Sequence, residues 1–93
     1  MGRRSRAEEL VEEFGEEPKE PGRYVVAYDF TGKVVNSFWY NLNRVLGRKG
    51  GGQAIQRSVV LVHSGRCARI IAELIRGYGG EVDAFKVERE LEL

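Results

Sequence analysis

Tyr24-Val25-Val26-Ala27-Tyr28-Asp29 is the stretch that decides how this chain folds. Four of its six side chains are β-branched or aromatic, which predicts a buried strand. The segment from Lys33 on has helical periodicity, so Asp29 stands where a strand hands over to a helix. The chain has two aspartates, Asp29 and Asp83, against twelve glutamates in 93 residues. Glutamate covers the solvated faces, and an aspartate at this junction asks for a local reason. An Asx-turn leading into Thr31-Gly32 is one such reason. Metal or phosphate chemistry is the other.

Working outward, a helix is expected over residues 33–46. Val35, Phe38, Leu42, Val45 and Leu46 form one apolar stripe along it, with Trp39 at its border and Gly47 as a C-cap. Arg48-Lys49-Gly50-Gly51-Gly52 reads as a basic loop without the spacing of a phosphate-binding loop. The extended run over residues 53–63 is polar in its first half and apolar on both faces at Val59-Val60-Leu61-Val62. A break near Ser58 divides it into two strands. Ser64 is an N-cap for a second helix over residues 65–77, with Cys67, Ile70, Ile71, Leu74, Ile75 and Tyr78 on its apolar face. A last strand starts near Glu81, and alternation of apolar and charged residues carries it towards Leu93.

This order predicts an α+β fold, the ferredoxin-like βαββαβ sandwich, with an antiparallel sheet and two helices on one face. Both faces of the first strand are apolar. The sheet face left uncovered by helices therefore predicts a second subunit, a homodimer. Residues 23–93 form the expected domain. Residues 1–22 are an acidic extension and linker: a short helix over residues 7–14 that is frayed or docked by Leu10, Val11 and Phe14, then a segment holding both prolines.

Charge is uneven along the chain. Residues 1–22 hold four cations against seven glutamates, a net −3, and residues 23–93 hold eleven cations against seven acids, a net +4. The window 44–76 carries seven cations and one acid, Glu73. Such a basic stretch is the footprint of a protein that meets phosphates, or else a solvated surface. The single cysteine excludes an internal disulfide and fits a reducing, cytoplasmic setting. No apolar run is long enough for a transmembrane helix, and the basic start lacks the apolar stretch of a signal peptide. His63 and Cys67 are too few for a zinc site, no hydrolytic triad is available, and Cys67 is expected in the core.

Tyr28-Asp29 closing a first strand, a helix after it, and Ile55-Gln56-Arg57-Ser58-Val59 opening the next strand resemble the small CRISPR-associated spacer-acquisition protein. The resemblance spans about residues 23–89. It implies a ferredoxin-like homodimer that binds double-stranded DNA or RNA and partners an integrase. It also implies metal-dependent endonuclease activity, with Asp29 as catalytic residue and magnesium ligand facing its symmetry mate. Backbone contacts then fall to Arg44, Arg48, Lys49, Arg57 and Arg66. The chain departs from the family at Phe30-Thr31-Gly32, at Val60-Leu61 and in residues 1–22. One aspartate per subunit is a thin magnesium site, so nucleic-acid binding without catalysis ranks above nuclease activity. Two other classes stand beside it. A small-ligand regulatory module predicts a pocket near Asp29 and Trp39. A protein-interaction adaptor uses the N-terminal helix or the 85–93 tail.

Overall fold

The computed structural model describes residues 4–48, 52–56, 58–89 and 91. Seven elements follow in the order α1 (Arg6–Glu13), β1 (Pro21–Asp29), α2 (Asn36–Arg48), β2 (Gly52–Gln56), β3 (Val59–Ser64), α3 (Gly65–Gly77) and β4 (Glu81–Val87). The strands form one sheet in the order β2-β3-β1-β4, and each neighbouring pair is antiparallel. The class is α+β, as expected. The element order departs from a bare six-element sandwich because α1 stands ahead of it, so three helices, not two, accompany the sheet.

β1 alternates as its sequence demands. Val26 and Tyr28 are buried with Val60 and Val62 of β3 against the helices, while Val25 and Ala27 point the other way and stay half-buried. Phe38 of α2 sits at the centre of an aromatic cluster. Its ring meets Tyr28, Phe30, Trp39 and Tyr78 edge-on at 4.9 to 5.8 Å. Edge-to-face pairs of this kind each add about 0.5–1.5 kcal/mol beyond the area they bury. Trp39 is therefore a packing residue at the rim. Phe38, Leu42, Val45 and Leu46 form the expected buried stripe, but Val35 is 55% exposed and lies outside the helix. The helix starts only at Asn36, where Phe38 N–H reaches back to the Val35 carbonyl at 3.1 Å. Two β-branched residues, Val34 and Val35, carry little helix propensity to extend it forward.

The expected break near Ser58 is a turn between β2 and β3, with a register shift between Ala54 and Gln56. Ser64 caps α3, its Oγ accepting from Cys67 N–H at 3.1 Å. Cys67 and the apolar face of α3 enter the core. At the far end of α3 the chain passes so close to Ile75 and Phe30 that a Cβ on Gly80 would lie 2.6 and 2.7 Å from them. β4 stops at Val87, short of the expected run to the C-terminus, and Leu91 is exposed.

The N-terminal segment docks. Ala7 and Leu10 of α1 are buried in the same core as α2, α3 and the sheet. An eight-residue helix is unstable alone in water, so burial holds α1 in shape. Asn41 of α2 completes the junction. Its carbonyl oxygen accepts from Ala7 N–H at 2.8 Å, and its amide donates to the Ser37 carbonyl at 2.8 Å and to Tyr78 Oη at 3.2 Å. β1 begins at Pro21, which stands opposite Ser64, so the strand starts just ahead of the expected boundary at residue 22. Among the described residues, no helix is long and apolar enough to cross a membrane.

Candidate functional site

The basic window and the acidic N-terminus meet in space. Arg44 on α2 forms an ion pair with Glu8 of α1 and donates to Tyr40 Oη at 2.9 Å, with its guanidinium over the Tyr40 ring. Arg66 donates to the carbonyls of Gly15 and Glu17 at 2.9 and 3.3 Å. Arg69 reaches Glu17 at 3.3 Å, Glu20 at 3.0 Å and the Pro18 carbonyl at 3.3 Å. Residues 15–20 thus lie as a strap across the start of α3. Its backbone takes two of the N–H groups that a helix start leaves open: Gly65 N–H donates to the Glu20 carbonyl at 2.9 Å and Arg66 N–H to the Lys19 carbonyl at 3.1 Å. Glu20 adopts a left-handed φ of 52° to do this, and its carbonyl also accepts from Tyr24 Oη at 3.1 Å. Gly65 leaves the room needed, since a Cβ there would sit 2.9 Å from Glu20 Oε2.

Two of the five arginines and lysines expected at a nucleic-acid surface, Arg44 and Arg66, are therefore engaged within the chain, on different helices. Arg48 is the last residue of α2. Lys49 and Arg57 lie outside the described residues. The composition gave net charges per segment but no pairing, and the seven glutamates of residues 1–22 were the signal that the arginines would find partners.

Asp29 is exposed at the end of β1, as expected. In the ladder it stands opposite Glu81, the first residue of β4, and Ala27 stands opposite Asp83. The sequence places Glu81 at the start of the last strand but does not place it beside Asp29. Pairing the first strand antiparallel to the last is what brings it there. Directly opposed residues hold their Cβ atoms about 4.5–5.5 Å apart, so Asp29 and Glu81 form a carboxylate pair at the sheet's end. Magnesium accepts one or two carboxylates when water and phosphate oxygens complete its shell. Among the described residues, no group of three or more His, Cys, Asp or Glu is arranged to hold a metal ion. The pair alone does not make a metal site.

Behind Asp29 lies a depression of about 270 Å³ lined by Tyr28, Phe30, Val34, Trp39 and Ser58 among others. It sits where the small-ligand reading expects a pocket. It is smaller than the roughly 300–1,000 Å³ of sites that enclose a ligand. Burial pushes the Cys67 thiol up to about 11, with Arg66 opposing weakly. A thiol so placed is inert as a nucleophile.

The remaining feature is the sheet face away from the helices. Val25, Ala27, Val59, Leu61 and Val87 are half-buried there, Phe85 is 60% exposed, and His63 is exposed at one end. Registers with β3 and β4 set Leu61 and Phe85 on either side of Val25. The result is an apolar patch in the middle of the sheet, with Asp29, Glu81 and Asp83 at one end and Arg23 at the other. No family model, no curated protein and no solved structure matches the chain.

Proposed function

We propose that the protein is a dimeric adaptor with ferredoxin-like subunits, and that its assembly surface is the uncovered face of the sheet. The strand order β2-β3-β1-β4 with antiparallel neighbours supports the ferredoxin-like reading, α1 being an addition to it. The observation that carries the function is the apolar patch of Val25, Leu61 and Phe85. A face of this kind on a chain of 93 residues exposes area that a second copy would remove from water. Sedimentation equilibrium tests it. The chain should sediment as a dimer at micromolar concentration, and Leu61→Glu should shift it to monomer, because a carboxylate in the middle of the buried patch has no partner. A wild-type chain that stays monomeric at about a hundredfold higher concentration would end the reading.

A second reading, nucleic-acid binding by this adaptor, is favoured by the outer side of α2. Residues 30–72 contain seven cations and no acid, although Arg44, Arg66 and Arg69 among them are held by the N-terminal segment. Asn36, Tyr40, Asn43 and Gly47 are exposed along one stripe of α2, with Lys33 exposed just ahead of it. Amides, a phenol and cations are the usual donors to phosphate oxygens. Duplex DNA binding that weakens steeply with salt, and weakens further in Tyr40→Ala with Asn43→Ala, supports this reading. Binding indifferent to both would leave an adaptor that joins proteins. On either reading Asp29 is a structural strand-end residue, and nuclease activity ranks last.

A further inference from the structure

We propose that the second copy lies on the uncovered sheet face with its strands antiparallel to those it covers, so that the Arg23 end of each sheet meets the Asp29 end of the other. The inference rests on the dimeric reading above and fixes how that dimer is built.

The strand registers lay out the face in rows. Arg23 is level with Val87, Val25 with Leu61 and Phe85, Ala27 with Val59 and Asp83, and Asp29 with Glu81. Charge therefore runs along the strands. Three carboxylates crowd one end, while Arg23 and the exposed His63 occupy the other, with the exposed Glu88 and Arg89 just beyond Val87. A copy related by an axis along the strands would stack three carboxylates on three, in a gap that excludes much of the water. Like charges so placed repel. An axis across the strands, between Val25 and Ala27, removes that conflict. It sets Val25 against Ala27, Leu61 against Val59, each Arg23 against Asp29 and Glu81 of the other copy, and, on the edge strand β4 where water still reaches the rim, Phe85 against Asp83. Arg23 also has a partner within its own chain, and a guanidinium with five donors serves more than one acceptor.

Size makes the charges matter. The four strands are 9, 5, 6 and 7 residues long. At about 3.3 Å per residue and about 4.8 Å between strands they offer roughly 430 Å² of flat area. Two such faces make about 860 Å², a little under the roughly 1,000 Å² that a specific interface clears. An apolar patch of that size leaves orientation to the ends. In this arrangement the two Asp29 carboxylates stand about 20 Å apart, six residues along the strand. They share no ion, which is the opposite of what the family resemblance implies for Asp29.

Cross-linking distinguishes the orientations. Facing sheets lie about 10 Å apart, too far for a direct disulfide, so a short bis-maleimide is the probe. Asp29→Cys and Arg23→Cys are both exposed positions, and Cys67 is buried. Mixed Asp29→Cys and Arg23→Cys chains should cross-link, and Asp29→Cys alone should not. The wild-type dimer should also weaken several-fold between low and moderate salt. Efficient cross-linking of Asp29→Cys alone, or a dimer that tightens with salt, overturns the orientation while leaving the dimer standing. A dimer that cross-links in neither experiment overturns the face itself. A wild-type chain that is monomeric throughout overturns the dimeric reading beneath it.

Discussion

Leu10→Ala tests whether α1 belongs to the fold. Leu10 is 1% exposed and sits in the cluster that joins α1 to α2, α3 and the sheet. Truncating a buried leucine removes three carbons from the core and leaves a cavity, at about 2–5 kcal/mol. A chain of this length has roughly 5–14 kcal/mol of stability in all, so a loss of about 3 kcal/mol is a large share. At about 4–8 °C per kcal/mol, Tm should fall by roughly 12–24 °C. Urea is the denaturant of choice, because guanidinium would also screen the Arg44–Glu8 and Arg69 ion pairs. The half-buried Trp39, packed on Phe38, reports the transition by fluorescence. Val35→Ala serves as the control, since its side chain is 55% exposed and its loss should stay within about 0.5 kcal/mol. If Leu10→Ala costs no more than that control at an unchanged m-value, α1 is an appendage and its burial in the core is wrong.

Three further predictions come from single sites. Asn41→Leu should cost about 1–3 kcal/mol despite its larger apolar surface, because the buried Ala7 N–H loses its acceptor; urea titration reads this directly. Gly80→Ala should destabilise by about 1–3 kcal/mol through contact with Ile75 and Phe30, whereas Gly47→Ala, with nothing within 4 Å of the new Cβ, should gain up to about 1 kcal/mol of helix propensity. Equal effects at the two sites, measured by thermal melting, would refute the close approach. For Cys67, burial holds the folded pKa at about 11 against an ordinary 9.0. The folded state keeps its proton where the unfolded state has lost it, so this contribution is constant below about pH 9 and declines as pH rises towards 11. At pH 8 the thiol should react with a disulfide reagent at least ~100-fold more slowly in the folded chain than in urea. The pH-dependent difference from Cys67→Ala should appear only above about pH 9.

Much of the architecture was legible because each element carries its own local signal. The residues of β1 are branched and aromatic, Ser64 caps α3 at the expected position, and Ser58 breaks the long run into a hairpin. Errors fell where local signals compete with tertiary ones. Val35 continues the apolar stripe of α2 on paper, yet the helix begins after it. Apolar and charged residues alternate past Val87, yet the ladder ends at Arg23↔Val87, because the two residues of β1 beyond Arg23 are Gly22, with a φ of 152°, and Pro21, which has no N–H to donate. The site was less legible than the fold. Asp29 was found from its rarity and its place at a strand end. Glu81, 52 residues further along the chain, becomes its neighbour only through the pairing of the first and last strands. The fate of Arg44 and Arg66 depended on where seven glutamates would dock, and sequence gives the charges without the distances.

The strap of residues 15–20 has a practical consequence for anyone who trims this chain. Removing residues 1–22 takes away a net −3 and leaves a body of net +4. It also strips the carbonyls and carboxylates from Arg66 and Arg69 and the carboxylate from Arg44. The shortened protein would display a guanidinium-rich surface, beside a helix start that keeps its Ser64 cap but loses the Lys19 and Glu20 carbonyls, that the longer one keeps covered. Such a fragment should bind heparin resin and co-purify with cellular RNA whatever the natural ligand is. A nucleic-acid affinity measured on it would describe the cut, and only the chain with its acidic N-terminal segment in place can report on the protein.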